Sequence, residues 1–168
     1  PDGHTLYQGS PNELILSPMA LKAVKYTAED WRLVQIIGGF PLAVLARKGL
    51  PANTIDELVV LAKKADAEGK PLTYASVGIG SLYHLLGAHF AEVIGARMTH
   101  VPYKGGAPIM TDLGGEQVDL SFIVVGDQQV GMAEAGRLKF LATLAPSGVV
   151  EAPFLKGIPS INDSKSVK

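Results

Sequence analysis

Apolar residues along this chain switch between two periods, and the switches mark its elements. Ile55, Leu58, Val59 and Ala62 repeat at helical spacing. Thr54 and Glu57 form a capping box ahead of them, so a helix is predicted over 55–67. Leu82 to Ile94 carries a second helical pattern, with shorter ones near Ala107–Leu113 and Gln128–Ala135. Strands are predicted at Leu42–Ala46, Leu72–Val77, Met98–Tyr103 and Leu138–Leu144. The nearly continuous apolar run Val118–Val125 reads as a buried parallel strand. Nearer the start, Thr5–Gln8 and the Val/Ile-rich Arg32–Gly38 read as strands, with a turn or short helix at 26–31. A helix to about Ala23 lies between them, with Ser10 as N-cap, Pro11 at the first helical position and Glu13 closing a capping box. Trp31, Phe40, Phe90 and Phe122 are expected in cores, Lys63-Lys64 on a solvated helix face, and the polar tail 160–168 frayed. Strands alternating with helices predict α/β architecture built from βαβ units.

Composition narrows the function. In 168 residues, 15 Lys+Arg face 16 Asp+Glu, a net charge of −1. That argues against nucleic-acid binding and against a polybasic membrane-surface role. A hydrophobic fraction of 47% with 18% charged residues supports a packed core rather than disorder. With no cysteine, disulfides, thiolate zinc sites and cysteine nucleophiles are excluded. No apolar run reaches the roughly 18 residues of a membrane span. Pro1-Asp2-Gly3 is turn chemistry running into a strand, so the chain is expected to be a fragment.

The strongest candidate chemistry is the loop Ser76-Val77-Gly78-Ile79-Gly80-Ser81 between a strand and a helix. Its glycines allow a ligand to approach the main chain, and the helix that follows offers unpaired N–H groups and a positive dipole end. Such a site favours a carboxylate or phosphate; the plainer alternative is a turn with Ser81 as an ordinary N-cap. Nucleotide motifs fit poorly, because Tyr83 stands where a dinucleotide fingerprint needs glycine and no Gly-Lys-Ser/Thr follows. Ser81 and His84 could share a helix face as nucleophile and base, but the Gly-x-Ser-x-Gly elbow is missing. The four histidines lack metal-ligand spacing, so neither a metal nor a cofactor is expected. Further candidates are the Gly9–Asn12 loop, with Ser10 and Asn12, and the loop after His100-Val101-Pro102, where Tyr103 offers a hydroxyl or an aromatic wall. Asp127, after the buried strand, could accept a ligand's amine or hydroxyl, or simply cap the next helix.

Three ordered motifs resemble a known family: Tyr74-Ala75-Ser76-Val77-Gly78-Ile79-Gly80-Ser81-Leu82-Tyr83-His84-Leu85, His100-Val101-Pro102-Tyr103-Lys104-Gly105-Gly106-Ala107-Pro108, and Gly114-Gly115-Glu116-Gln117-Val118-Asp119. They are similar to the solute-binding receptors of tripartite tricarboxylate transporters, the Bug receptors. The resemblance implies a periplasmic-binding-protein fold of type II, with two lobes closing on a small organic mono- or dicarboxylate, no catalysis, and delivery to a membrane permease from the periplasm. It divides the chain into 1–46 (first lobe, partial), 47–137 (second lobe) and 138–168 (return to the first lobe, partial), with the first lobe incomplete. It places Ser76, Val77, Gly78, Ile79, Gly80, Ser81 and His84 in the second lobe's half of the pocket, Ser10 and Asn12 in the first lobe's half, and Tyr103 beside the cleft. The segment Ile123–Asp127 departs from the family pattern, so Asp127 aligns only loosely. The competing readings are a serine-hydrolase-like enzyme, a nucleotide-binding enzyme and a lobe serving only as an interaction module.

Overall fold

A computed structural model describes residues 3–167. Five strands form one sheet: β1 (Leu42–Arg47), β2 (Thr73–Ser76), β3 (Thr99–Pro102), β4 (Leu120–Val124) and β5 (Leu138–Thr143), in the order β3-β2-β4-β1-β5. β2 runs parallel to β3 and β4, whereas β1 is antiparallel to both β4 and β5. The apolar run ending at Val125 therefore has a parallel neighbour on one side only. The strands outside 47–137 are thus hydrogen-bonded members of the same sheet as the strands inside it.

The helices are α1 (Ser17–Ala20), which continues a π-helical turn at Asn12–Leu16, α2 (Ile55–Ala67), α3 (Leu82–Ile94), α4 (Gly106–Gly114) and α5 (Asp127–Glu134). Two-residue alternation along the strands divides the core. Val44, Ala46, Leu120 and Phe122 face α2 and α3, meeting Leu58, Val59, Phe90 and Ile94. Ala43, Leu45 and Ile123 face the other way, onto Ile109, Met110 and Leu113 of α4 and Val130 and Met132 of α5. The result is a helix–sheet–helix sandwich.

Thr54 caps α2 as the sequence predicts, while the return bond from Glu57 falls one residue earlier than a capping box places it. Thr54 Oγ1 accepts the Glu57 N–H at 3.1 Å, and the Glu57 carboxylate accepts the Asn53 N–H at 2.6 Å. The Gly114–Asp119 motif proves to be a clamp between strands. Asp119 accepts from Arg47 Nε at 2.9 Å and from the Thr73 N–H at 2.8 Å, while Glu116 accepts the Gly49 N–H at 3.1 Å.

Four expectations fail. Residues 5–8 and 32–38 are not strands, and Leu33, Val34, Ile36 and Ile37 are exposed. A strand needs a ladder partner, and none among the described residues lies beside them. The first helix stops at Ala20, because Leu21 is already extended. Phe40 is exposed, and Trp31 packs on Tyr7 and Tyr26 outside either core. The tail is anchored: Ser160 is buried, and Asp56 accepts from Ser164 Oγ at 2.7 Å and from the Ser166 N–H at 2.9 Å. Phe90 and Phe122 are buried and Lys63-Lys64 exposed, as predicted.

Gly87 lets α3 lie against β2. A Cβ there would stand 2.2 Å from the Tyr74 ring, which is itself buried. Gly87→Ala gains helix propensity, but overpacking costs about 1–3 kcal/mol. Net destabilisation is the expected result in urea unfolding; a stabilised variant would show that Tyr74 yields freely.

Candidate anion-binding loop

The loop lies at the carboxyl end of β2 and leads into α3. Gly78 (φ +141°) and Gly80 (φ +79°) both hold backbone conformations that side chains disfavour. Ser76, Gly80 and Ser81 are buried, and Ile79 is exposed. Ser81 caps α3 by accepting the His84 N–H at 3.3 Å. The turn Ser76 makes is local too: its hydroxyl donates to the Gly78 carbonyl at 3.0 Å and accepts the Gly78 N–H at 3.1 Å.

The structure brings together residues from three of the predicted segments. Asn12 Oδ1 accepts the Leu82 N–H, the first amide of α3, at 2.7 Å across 70 positions of sequence. The turn that carries Asn12 is held as predicted: the Glu13 carboxylate accepts the Ser10 N–H at 2.9 Å, and Ser10 Oγ accepts the Asn12 N–H at 3.2 Å. Burial works against ionisation of Glu13, but the bonds from Ser10 outweigh it and hold its carboxyl below the usual range. Tyr103 adjoins the loop through its backbone, its N–H donating to the Ser76 carbonyl at 2.8 Å. Its hydroxyl instead donates to Asp112 at 2.6 Å, and burial together with that carboxylate pushes it up to about 12. Val77 packs in the core on the α4–α5 face. Asp127 stands exposed in the first turn of α5, at the end of the strand next to β2, and shares none of these hydrogen bonds.

His100, which is absent from the candidates read from the sequence, joins His84 at the site. His100 on β3 lies beside Tyr74 in register, and its ring stacks on His84 with centroids 4.0 Å apart. His100 Nε2 also meets Ser76 Oγ at 2.6 Å. Burial lowers the His100 pKa below 6.5, with a further push from His84. The folded chain therefore takes that proton at lower pH than the unfolded chain does, and its contribution to stability is lost as pH falls from about 6.5 through the folded value. His84 Nδ1 accepts the Gly80 N–H at 3.0 Å. The ring is thus turned to Gly80, and what Ser81 Oγ meets is the His84 backbone N–H, which it accepts as a helix cap. Among the described residues no group of three or more His, Cys, Asp and Glu could hold a metal.

The Gly78, Gly80, Ser81 and Leu82 amides are met from within the chain. Two shallow, open grooves lie elsewhere, one along α2 from Asp56 to Lys64, the other between Tyr74 and Arg97. No helix among the described residues is long and apolar enough to cross a membrane.

Comparison with known proteins agrees with this geometry. A UPF0065 protein of Bordetella pertussis is 30% identical over 99% of this chain and 49% of its own length. The periplasmic binding protein BugD superposes with a TM-score of 0.64 at 34% identity, over 76% of this chain and 40% of its own. An R. palustris protein solved with adipate gives 0.66 at 28% identity, over 76% and 40%. The chain thus spans about half the length of its curated relative. The fold is that of periplasmic binding proteins, and the family is one of receptors rather than enzymes. The profile of the tripartite tricarboxylate transporter family receptor matches residues 1–165, and the chain belongs to that family.

Proposed function

We propose that this chain supplies the carboxylate-gripping half of a periplasmic receptor that captures a small organic mono- or dicarboxylate and passes it to the permease of a tripartite transporter. Residues 42–143, the sheet with its helices, act as one lobe, and the segments on either side belong to the other. The exposed, Val/Ile-rich stretch 32–40 is assigned to that other lobe. This moves the boundaries from 46/47 and 137/138 outward to the ends of the sheet.

The observation that carries the reading is the bond from the Leu82 N–H to Asn12 Oδ1. A remote segment places a carbonyl oxygen on the first amide of a 13-residue helix, where the dipole favours negative charge. A ligand carboxylate offers a better oxygen for that donor, since charge-assisted bonds are shorter and stronger than neutral ones. The Gly78–Ser81 backbone lies alongside, with Ser76 and Ser81 hydroxyls beneath it. That a relative was solved with adipate supports a carboxylate of this size. Closure follows from differential affinity, because the acid makes both sets of contacts only when the lobes meet.

Native mass spectrometry of freshly purified protein is expected to show a bound small acid, and calorimetry is expected to show adipate binding. Asn12→Ala removes the competing oxygen. The loss of one such bond, about 1 kcal/mol, is expected to tighten adipate binding roughly fivefold. Weakened binding would reject the role of Asn12 as a stand-in for the ligand.

A further inference from the structure

We propose that His84, positioned by its stacked neighbour His100, is a proton-operated gate on the Gly80 amide, so that carboxylate capture at this loop takes up a proton. The identity of the captured anion rests on the function proposed above; the gate rests on geometry. Because His84 Nδ1 accepts the Gly80 N–H at 3.0 Å, that nitrogen carries a lone pair and the neutral ring keeps its proton on Nε2. A proton arriving at Nδ1 turns acceptor into donor, and the bond to Gly80 must break. Two donors are then left without an acceptor, the Gly80 N–H and the imidazolium Nδ1–H, and an anion satisfies both.

His100 decides which ring takes the proton. Two imidazolium rings stacked at 4.0 Å would repel, so the pair holds one positive charge at most. His100 is the more constrained partner, with Nε2 against Ser76 Oγ and burial opposing its charge. The groups around the pair do not compete for the proton. From β2 comes Tyr74, whose hydroxyl burial keeps protonated. Tyr83, on α3 itself, is likewise raised by burial, and Glu13 of the N-terminal turn faces it while already bonded to Ser10. Tyr103, next to Ser76, is tied to Asp112. Beyond Tyr74, Asp66 and Arg97 are paired with each other at 2.7 Å.

The test has two arms. In the ligand-free chain, NMR is expected to show the Gly80 amide and the His84 ring titrating together. His84→Gln is expected to abolish the step at Gly80. His100→Phe, which keeps a ring in the stack but cannot take the proton itself, is expected to keep the step at Gly80. In calorimetry with adipate, run in two buffers of different ionisation enthalpy, binding is expected to take up protons. Affinity should rise by up to tenfold per unit fall in pH while the acid stays ionised. A Gly80 amide that ignores the His84 titration overturns the gate. Adipate binding without proton uptake also overturns it but leaves the proposed function standing. Absence of adipate binding at every pH overturns the capture reading and the linkage built on it, whatever the ligand-free titration shows.

Discussion

Phe122→Ala is expected to destabilise the chain by about 3–5 kcal/mol, the range for an aromatic ring removed from a close-packed core. Phe122 is 1% exposed, on the central β4, with Val44 of β1 as its register partner. Its ring meets Phe90 of α3 at a centroid distance of 5.3 Å. Truncation therefore opens a cavity where the sheet and α3 meet, and neither side can close it without breaking the β1–β4 ladder. Against a total stability of about 5–15 kcal/mol this is a large fraction, worth roughly 6–20 °C in melting temperature. Urea unfolding should show a lower midpoint with an unchanged slope. Val60→Ala, at a 68% exposed site on α2, serves as the control and should stay within about 0.5 kcal/mol. A loss below about 1 kcal/mol for Phe122→Ala would mean that this face of the core repacks freely.

How well each element could be read follows from where its determinants lie. α2 and α3 run from Ile55 to Ala67 and from Leu82 to Ile94, as expected, because capping serines and threonines and helical spacing are local signals. Val/Ile content at 32–38 is a local signal too, but a strand forms only beside a partner. The antiparallel setting of β1 is invisible in its composition, because an apolar run buried on both faces looks the same in either direction. The anchoring of the tail is hidden from its local composition for a similar reason. Ser164 and Ser166 are polar, but Asp56, more than a hundred positions away, holds them. The Ser166 and Ser164 hydroxyls, joined by the Lys165 and Ser166 amides, bring the Asp56 carboxyl down to about 2.

The site divides along the same line. A Gly-rich turn ahead of a capped helix was legible in the sequence, since positive φ at Gly78 and Gly80 and the Ser81 cap are dictated within a few residues. Asn12 was legible as a pocket candidate but not as the partner of Leu82. His100 was set aside altogether. Only the β2–β3 register, which pairs Tyr74 with His100, brings its ring onto His84. One signal was available: strands consecutive in a βαβ unit usually lie side by side, and His100 is on the strand that follows the loop's own.

Gly80→Asp is expected to weaken adipate binding at least a hundredfold, about 2.7 kcal/mol, while leaving the fold intact. Gly80 sits at φ +79°, a left-handed conformation that aspartate tolerates better than most residues, at a cost of about 1–2 kcal/mol. The new carboxylate would stand at the start of α3, where it satisfies the helix amides itself and repels an incoming anion. Both effects act on the bound state and only weakly on the core, because Val77 is the loop residue that packs there. Gly80→Asn separates charge from strain: it has nearly the same shape and the same tolerance of positive φ, without the negative charge. It should keep most of the affinity that aspartate loses. Thermal melts of the two variants are expected to agree within a few degrees, whereas calorimetry should set them far apart. Equal loss in both would trace the effect to the backbone alone, and unchanged affinity in Gly80→Asp would remove this loop from the carboxylate's path.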